Sequence, residues 1–415
     1  MRFNASKFND HWQDKYLSEL GSFQRGKSPH RPRNDPALFK GGEHPLIQTG
    51  EIKGAGLYIR KHNDAYNDFG LAQSRLWPEN TLCITIAANI AETALLEYPM
   101  CFPDSVVGFN ADDNESSELF MHYVFTYIRK AIQNSASGSI QDNINIDYLT
   151  GLKFKIPKKI YQDKIVSVLS TLDKKIELNN KINLELEAMA KLIYDYWFVQ
   201  FDFPDENGKP YKFSGGKTVY NEELKREIPE GWNVEELQSI ATNIMGQSPS
   251  GESYNSEAVG MPLLNGPADY KNGALFGRTY TTSPTRLCKK DDMVLCIRAT
   301  IGNLVYSEGE FCLGRGVAAV RPHKEESSEL IYFLLQQEIK RFKIQATGSI
   351  IKGITKDDLV ESICLIPKEN TVLEFHKIIK PMFDKQRKAK TENLNLIDLR
   401  DWLLPMLMNG QVKIK

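Results

Sequence analysis

Apolar residues in two long stretches of the chain recur in alternating steps of four and three, which is the spacing of a coiled-coil seam. The first seam lies in residues 158–201 and comprises Ile165, Leu169, Leu172, Ile176, Asn179, Asn183, Leu186, Ala190, Ile193 and Trp197. The second lies in residues 368–408, 210 positions later, and comprises Phe375, Ile379, Met382, Gln386, Ala389, Asn393, Leu396, Arg400, Leu403 and Leu407. We predict two long helices that pair with each other along these seams. The alternative is that each helix packs on its own domain.

The seams also contain residues that depart from an apolar pattern. Asn183 and Asn393 occupy the same position in the two stretches, and polar seam residues usually fix register and partner at some cost in stability. Pro381 is a second departure, because a proline inside a helix removes a hydrogen bond and clashes with the preceding turn. The second helix is therefore expected to kink or restart at this residue.

A different periodicity precedes each long helix, in residues 1–157 and 232–367. Short β-rich runs alternate there with Gly, Pro and Asn turns. One helical pattern interrupts each segment, at residues 118–133 and 329–344. The chain is therefore predicted to be α+β, with two α/β domains that are each followed by a long helix. Two polar segments remain, a turn-rich linker at 202–231 and a tail at 409–415.

The two halves of the chain are copies of one unit. Six residues of the first half return 220 positions later: Trp12, Leu17, Leu20, Gly26, Ser28 and Pro29 match Trp232, Leu237, Ile240, Gly246, Ser248 and Pro249. Further along the offset falls to about 210, and Ile144, Asp147 and Pro157 match Ile354, Asp357 and Pro367. The lost residues fall around 30–75, where the copies diverge. A duplicated protein implies a target that is read in two parts.

Charge and composition narrow the function classes. The net charge is only −1, but residues 1–61 carry 11 Lys and Arg against 6 Asp and Glu, whereas residues 62–157 carry 5 against 12. A near-neutral chain can neutralise phosphates if its basic groups share one face. No apolar run approaches the roughly 18 residues of a membrane helix, and we expect a cytosolic protein. The six cysteines lack the spacing of zinc ligands and are predicted to be small buried residues.

Two motif matches point toward catalysis and fail on their context, and a third catalytic motif is missing. Residues 21–28, from Gly21 to Gly26-Lys27-Ser28, satisfy the P-loop pattern, but Pro29, Pro32 and Pro36 follow where a helix should begin. Pro204-Asp205 with Glu223 and Lys225 has the residue types of a metal-dependent nuclease core, but lies in the predicted linker. The Pro-Pro loop of DNA amino-methyltransferases is absent from the sequence.

The whole chain resembles the specificity (S) subunit of type I DNA restriction-modification enzymes. The most specific matches are Ile228-Pro-Glu-Gly-Trp232, the linker motifs from Phe203-Pro204 to Tyr211 and at 214–216, and the Gly-Ser-Ile turns at 138–140 and 348–350. The resemblance implies that each domain is a target recognition domain for one half of a bipartite, asymmetric DNA site. It further implies that the two helices pair antiparallel as a molecular ruler, with modification subunits beside them.

By the same resemblance the chain is non-catalytic and holds no metal or cofactor of its own. Two modification subunits would supply S-adenosylmethionine and adenine-N6 methylation, and restriction subunits would supply ATP- and Mg-dependent translocation and cleavage. Two rival functions stay open: a P-loop nucleotide-binding enzyme that depends on Lys27, and a coiled-coil scaffold that does not bind DNA.

Candidate DNA contacts are polar and basic residues in the predicted loops. Base readout favours Arg, Lys, Asn and Gln, while phosphate contacts come from Lys, Arg, hydroxyls and backbone amides. In the first domain the candidates are Arg25, Lys27, Arg31, Gln48, Thr49, Lys53 and Gln141. In the second they are Gln247, Asn265, Lys271, Arg278, Arg298, Arg315 and Lys352. Each has a plain alternative as a solvated surface residue, and the Gly-Ser turns are interpreted as structural.

Overall fold

The computed structural model describes residues 9, 12–137, 144–271, 273–298, 300–346 and 353–414. The chain forms two compact units. The first unit combines Met1–Leu178 with Asn393–Lys415, and the second is Asn179–Glu392. The boundaries between the units therefore fall inside both long helices. The mixture of sheets and helices confirms the predicted fold class.

The first unit is built on a five-stranded sheet with the order β2-β8-β6-β7-β4. Its strands are β1 (Gln13–Tyr16), β2 (Gly21–Arg25), β3 (His44–Leu46), β4 (Tyr58–Ile59), β5 (Asp64–Tyr66), β6 (Leu82–Thr85), β7 (Thr93–Leu96), β8 (Val106–Ala111) and β9 (Lys153–Ile156). Its helices are α1 (Thr49–Gly54), α2 (Asp68–Ala72), α3 (Glu118–Ser137), α4 (Ile146–Thr150) and the first part of α5 (Lys159–Tyr194). The fully buried strand β6 and the apolar face of α3 form one core.

The second unit contains a four-stranded sheet, β13-β23-β20-β21, and a separate five-stranded sheet, β14-β18-β15-β22-β19. Its strands are β10 (Thr218–Asn221), β11 (Arg226–Pro229), β12 (Asn233–Glu236), β13 (Ala241–Met245), β14 (Tyr254–Asn255), β15 (Met261–Leu264), β16 (Tyr270–Lys271), β17 (Ala274–Leu275), β18 (Thr279–Thr281), β19 (Leu287–Cys288), β20 (Met293–Cys296), β21 (Gly302–Tyr306), β22 (Phe311–Leu313), β23 (Val317–Pro322) and β24 (Ile363–Ile366). Its helices are the last part of α5, α6 (Ser328–Ala346), α7 (Lys356–Val360) and most of α8 (Glu369–Met408), whose end belongs to the first unit.

The sequence duplication is reproduced in backbone pairing. β1 pairs with β9 and β2 with β8 in the first unit, as β12 pairs with β24 and β13 with β23 in the second. The loop bonds repeat too. The Gly26 N–H donates to the Val106 carbonyl at 2.9 Å, and the Gly246 N–H donates to the Val317 carbonyl at 3.1 Å. Three strands of the second five-stranded sheet, β14, β15 and β18, fall in the diverged region, so the copies differ most where the sequence offset changes.

The two long helices run antiparallel where they meet within each unit. In the first unit Arg400 donates to Asp173 at 2.8 Å and Asn393 donates to the Ile176 carbonyl at 3.3 Å, so the numbers rise along one helix as they fall along the other. In the second unit Gln386 donates to the Asn183 carbonyl at 2.8 Å. All the predicted seam residues are buried or half-buried. The helices also join their own domain cores, because Ile165 and Leu404 share one core.

The structure changes two predictions. Helix α8 continues through Pro381, so the predicted restart at that residue is wrong. Pro381 is exposed, while Ile379 and Phe383 on either side are buried and hold the helix in place. The segment 202–231 is folded as well as polar. It contains the β10–β11 hairpin, and the ring of Phe203 stacks on Trp232 with centroids 4.9 Å apart.

None of the described helices is both long and apolar enough to cross a bilayer.

Phe375 on α8 lies at the centre of an aromatic cluster in the second unit and has no exposed surface. The centroid of its ring lies 4.8 Å from that of Phe198 and 5.8 Å from that of Trp197. Replacing Phe375 with Ala should lower the free energy of unfolding by about 3–5 kcal/mol, since it removes an aromatic ring from a packed core. Urea titration followed by circular dichroism measures this loss. Leu373→Ala on the same helix, at a residue that is 36% exposed, is the control, and an equal loss for both variants would contradict the assignment.

Candidate nucleic-acid interface

Four candidate residues of the second unit converge on the turn between β22 and β23. The Gln247 N–H donates to the Leu313 carbonyl at 2.8 Å, and the Gly314 N–H donates to the Leu264 carbonyl, next to Asn265, also at 2.8 Å. On the other side of the turn the Ile297 N–H donates to the Gly316 carbonyl at 3.0 Å. These bonds place four exposed side chains around one short segment: Gln247, Asn265, Arg298 and Arg315.

Glycine permits this convergence because the backbones approach too closely for side chains. A Cβ on Gly316 would lie 1.9 Å from the Asn265 carbonyl oxygen, and one on Gly246 would lie 2.1 Å from the Gly314 carbonyl oxygen. The loops are thus held in backbone contact while their polar side chains remain at the surface. The Arg315 Nε donates to the Ser248 hydroxyl at 3.1 Å, which orients the guanidinium.

The buried carboxylate of Asp269 orders the neighbouring loop. Its Oδ2 accepts from the N–H of Asn265 at 2.6 Å and from the N–H of Gly266 at 3.1 Å. The β16–β17 hairpin, which follows this loop, carries Lys271, and exposed Arg278 lies just beyond the hairpin. Six candidates of the second unit, Gln247, Asn265, Lys271, Arg278, Arg298 and Arg315, therefore belong to connected surface loops.

Three candidates of the first unit belong to one loop system. Arg25 ends strand β2, and the loop that follows carries Lys27 and Arg31. The Gly26 N–H in this loop donates to the Val106 carbonyl, the Arg25 guanidinium donates to the Asp104 carbonyl, and the Lys27 carbonyl accepts from the Ser74 hydroxyl at 3.0 Å. Arg31 folds back on its own loop and donates to the Ser28 carbonyl at 2.6 Å. These basic groups line the surface beside β8.

The other described candidates of the first unit lie on or next to a separate element, α1. Gln48 is the N-cap residue of α1, and its N–H donates to the Glu51 carboxylate at 3.0 Å. Thr49 is the first residue of the helix. Lys53 donates to the Asn89 side chain at 3.0 Å. Gln141, Lys352 and the Gly-Ser turns at 138–139 and 348–349 lie outside the described residues.

The structure adds basic residues that sequence reasoning missed. Arg33 donates to the Asp104 carboxylate at 2.7 Å, and the Arg75 guanidinium lies 4.2 Å from the centroid of the Trp77 ring. Both come from the diverged region, where no repeat partner could mark them. In the second unit the Arg286 carbonyl accepts from the Leu313 N–H at 2.7 Å, which places exposed Arg286 beside the converging turn. Its Thr285-Arg286 position in a turn-rich run was the available signal.

A hydrogen bond between His30 and Asp35 lies within the first loop system. The His30 Nε2 lies 2.8 Å from the Asp35 carboxylate. The Ala37 N–H and His30 together hold the pKa of Asp35 below its ordinary value, because both partners favour the carboxylate. The Asp35 charge therefore persists at neutral pH and holds the imidazole beside Arg31.

The catalytic motif matches take other forms in the structure. Residues Gly21–Arg25 form strand β2, and the first helical turn after Ser28 is a 3₁₀ turn at Pro36–Leu38, so no α-helix begins directly after the Lys27 loop, as a P-loop requires. The six cysteines are free and buried, as predicted. Within the described part of the chain, no group of three or more His, Cys, Asp and Glu side chains could hold a metal ion.

Comparison with known proteins agrees with this architecture. The family model of the type I restriction modification DNA specificity domain matches residues 9–188 and 229–396. The putative type I restriction enzyme MjaX specificity subunit of Methanocaldococcus jannaschii is 28% identical over 70% of this chain and 65% of its own length. The MjaIX specificity subunit of the same organism is 22% identical over 99% of this chain and 96% of its own. The HindI specificity subunit of Haemophilus influenzae is 25% identical over 72% of this chain and 75% of its own.

A solved structure shows the same fold. The crystal structure of the type I restriction-modification S subunit from M. genitalium matches with a TM-score of 0.63 and 18% identity, over 98% of this chain and 99% of that one. The family model covers both copies of the repeat and most of both long helices. The chain therefore belongs to the family of type I restriction-modification DNA specificity subunits.

Proposed function

We propose that this chain reads a bipartite, asymmetric DNA site and scaffolds the modification and restriction subunits of a type I complex. The observation that supports the proposal is that the same loop backbone, with the same hydrogen bond, occurs in both units but carries different side chains. Gly26 and Gly246 make the same backbone bond in the two units, but the next residue is Lys27 in one and Gln247 in the other. A common frame with different hydrogen-bonding groups favours two half-sequences that differ from each other.

In this proposal the chain supplies only recognition of the DNA sequence and assembly of the subunits. S-adenosylmethionine, ATP and Mg belong to partner subunits, which carry out adenine methylation and DNA cleavage. The rival P-loop enzyme is disfavoured because no helix opens after Lys27 to cradle a phosphate. The rival function, a scaffold that does not bind DNA, is disfavoured by the exposed Arg, Lys, Asn and Gln side chains on loops whose backbones approach closely at glycines.

The proposed function predicts that cells carrying this chain with its modification subunits methylate one bipartite sequence. Deleting the chain alone should abolish that methylation, because the modification subunits then lack a sequence reader. Genome-wide sequencing of methylated adenines gives the readout, and a strain with the chain restored is the control. Unchanged methylation after deletion would refute the assignment as reader.

The long helices are proposed to set the gap between the half-sites. Their length supports this, since α5 has 36 residues and α8 has 40, or roughly 54 and 60 Å at about 1.5 Å per residue. One heptad adds roughly 10 Å of helix, and a DNA turn of about 10 base pairs spans roughly 34–36 Å. A heptad therefore corresponds to about three base pairs.

Inserting one heptad after Leu186 and another after Leu396 keeps the seam faces in phase. Both half-sequences should stay unchanged while the gap between them lengthens by about two to three base pairs. Activity is expected to be weaker, because the domains also rotate about the duplex. Mapping methylated sites measures the gap. A constant gap with altered half-sequences would mean that the seam helices read bases.

Both helices also carry an exposed apolar stripe outside the seam. On α5 and the π-helical turn that follows it the stripe comprises Met189, Leu192 and Tyr196, and on α8 it comprises Leu399, Trp402 and half-buried Met406, each 210 positions later. Leu192 is 67% exposed and Trp402 is 57% exposed. The spacing of three and four keeps each stripe on one helix face. Two equivalent apolar faces on one chain suit two copies of the same partner, which we assign as the modification subunit.

Placing a charge in a stripe should remove one modification subunit from the complex. Leu192→Glu and Trp402→Glu are each expected to leave a complex with one modification subunit, and the double variant none, because a buried unpaired carboxylate opposes docking. Light scattering on the purified complex measures its mass. Asn180→Glu and Thr391→Glu add the same charge to exposed positions outside the stripes and should retain both subunits. Retention of both subunits by the double stripe variant would place the docking face elsewhere.

A further inference from the structure

The sequence contains two Phe-Gly dipeptides, Phe69-Gly70 and Phe276-Gly277. Each lies in one unit, within or next to the candidate interface, and in each the phenylalanine ring is about half exposed, at 55% for Phe69 and 53% for Phe276. A third exposed phenylalanine, Phe213, lies in the segment between the repeats and is 87% exposed. Exposure alone does not set Phe69 and Phe276 apart, because the chain exposes other large apolar side chains. What they share is a following glycine in close backbone contact and a position beside the candidate interface.

The first ring is held rigidly at the surface by the chain around it. Phe69 lies in the short helix α2, whose start is capped by Asn67 through the Gly70 N–H at 3.0 Å. The Asn67 amide also donates to the carbonyls of Ala37 and Lys40. Gly70 faces inward, where a Cβ would lie 2.7 Å from the Leu38 carbonyl oxygen. The glycine therefore lets the turn pack closely against the chain at Leu38, while the ring of Phe69 projects into solvent.

The surroundings of Phe69 belong to the candidate interface. Its ring meets that of His30 edge-on, with centroids 5.7 Å apart, and His30 adjoins Arg31 in the loop of basic candidates. The His30 N–H donates to the Gln73 side chain at 3.2 Å, which ties this loop to the end of α2. An apolar tip is thus fixed beside a set of cationic side chains.

The ring of Phe276 is also held at the surface beside a closely packed glycine, although it follows a strand and does not lie in a helix. Phe276 follows strand β17, and its N–H donates to the Asp269 carbonyl at 2.7 Å. The carboxylate of that aspartate orders the Asn265 loop, so the ring is tied to the converging candidates. Gly277 is packed so closely that a Cβ would lie 2.8 Å from the Cβ of Pro262. The Lys271 ammonium lies 5.7 Å from the ring centroid, and Arg278 follows two residues later.

We propose that Phe69 and Phe276 are wedges that enter the DNA between base pairs, one in each half-site. The inference rests on the proposed function and adds to it a means of recognition other than hydrogen bonding. Apolar side chains inserted at a base step partly unstack it and kink the duplex, while neighbouring cations contact the phosphates. A ring already held in position by its glycine and loop loses little conformational freedom on insertion.

A phenylalanine carries no hydrogen-bonding group, so it reads deformability and not base edges. Pyrimidine–purine steps are the easiest to unstack. Each half-site should therefore contain such a step at the point of insertion, next to the bases that the polar loop residues contact.

The test uses the complete complex with its modification subunits and a duplex bearing the site mapped by methylation. 2-Aminopurine replaces each adenine of the two half-sites in turn, because its fluorescence rises when it is unstacked. Wild-type complex should brighten one position in each half-site other than the methylated adenine, which the modification subunits flip out in any case. Phe69→Ala should abolish this second signal in one half-site only, Phe276→Ala in the other only, and each should weaken binding by roughly tenfold to a hundredfold.

Matched variants separate insertion from other effects. Phe69→Leu and Phe276→Leu keep an apolar wedge and should retain most of the fluorescence change and affinity. Phe213→Ala removes an exposed ring outside both interfaces and should change neither. If wild-type complex failed to bind the mapped site in preference to other DNA, the proposed function itself would fail.

Specific binding by the wild type, with both alanine variants equal to it in affinity and fluorescence, would overturn the wedge alone. A partner interface is the other outcome that would overturn it. In that case the alanine variants would lose modification subunits in the absence of DNA, as seen by light scattering.

Discussion

Each unit of this protein completes its core with a helix segment from a distant part of the chain. In the first unit Leu404, Leu407 and Met408 pack with Leu17 and Phe109 in one buried cluster. In the second the end of α5 and the start of α8 share a core with the sheet around β20. Burial of apolar surface is the main favourable contribution to folding, so neither domain sequence contains all of its own core. The antiparallel helix segments are therefore part of both domains as well as a connection.

This constraint explains why the repeat is preserved in the seams and in the backbone frame but not in the loops. Residues that face the helix pair must fit a partner from the other copy, whereas loop side chains meet solvent and the target. Polar contacts beneath the loops also vary. Thr81 donates to Asn110 at 2.9 Å in the first unit, and at the equivalent positions Arg321 donates to Asp292 through two bonds of 2.7 and 2.8 Å. Both pairs satisfy buried groups, so the frame tolerates different chemistry.

The sequence predicted the elements whose signal is periodic or repeated. The seam spacing located α5 and α8, and the 220-residue offset between Gly26 and Gly246 located the loop frame that the structure shows in both units. The behaviour of Pro381 could not be predicted, because the packing of its neighbours and not its own propensity keeps α8 intact. The fold of residues 202–231 was missed because the segment is polar in its overall composition. A few aromatic contacts, such as that of Phe203 with Trp232, hold it in place.

Only part of the geometry around the candidate interface could be predicted from the sequence. Gln247 and Arg315 were proposed as DNA contacts from the repeated pattern, and the structure shows that both are exposed at one turn, while their contact with DNA stays a prediction. Arg33 and Arg75 in the first unit and Arg286 in the second were missed, since each lies beside the candidate loops of its own unit through long-range contacts that no local pattern records. The glycines themselves could be recognised as close approaches only after the backbones were placed.

The near-neutral charge has a consequence for how such an interface works. Several of its cations already hold protein groups, as Arg31 holds the Ser28 and His30 carbonyls and Arg33 holds Asp104. Contacts to phosphate must then be made by donors left over on the same guanidinium groups, and each adds to affinity in a salt-dependent way. With a net charge of −1, the chain as a whole supplies little long-range attraction to a polyanion such as DNA. Under the proposed function, discrimination would then depend on short-range terms, namely base-edge hydrogen bonds and the ease of deforming a base step.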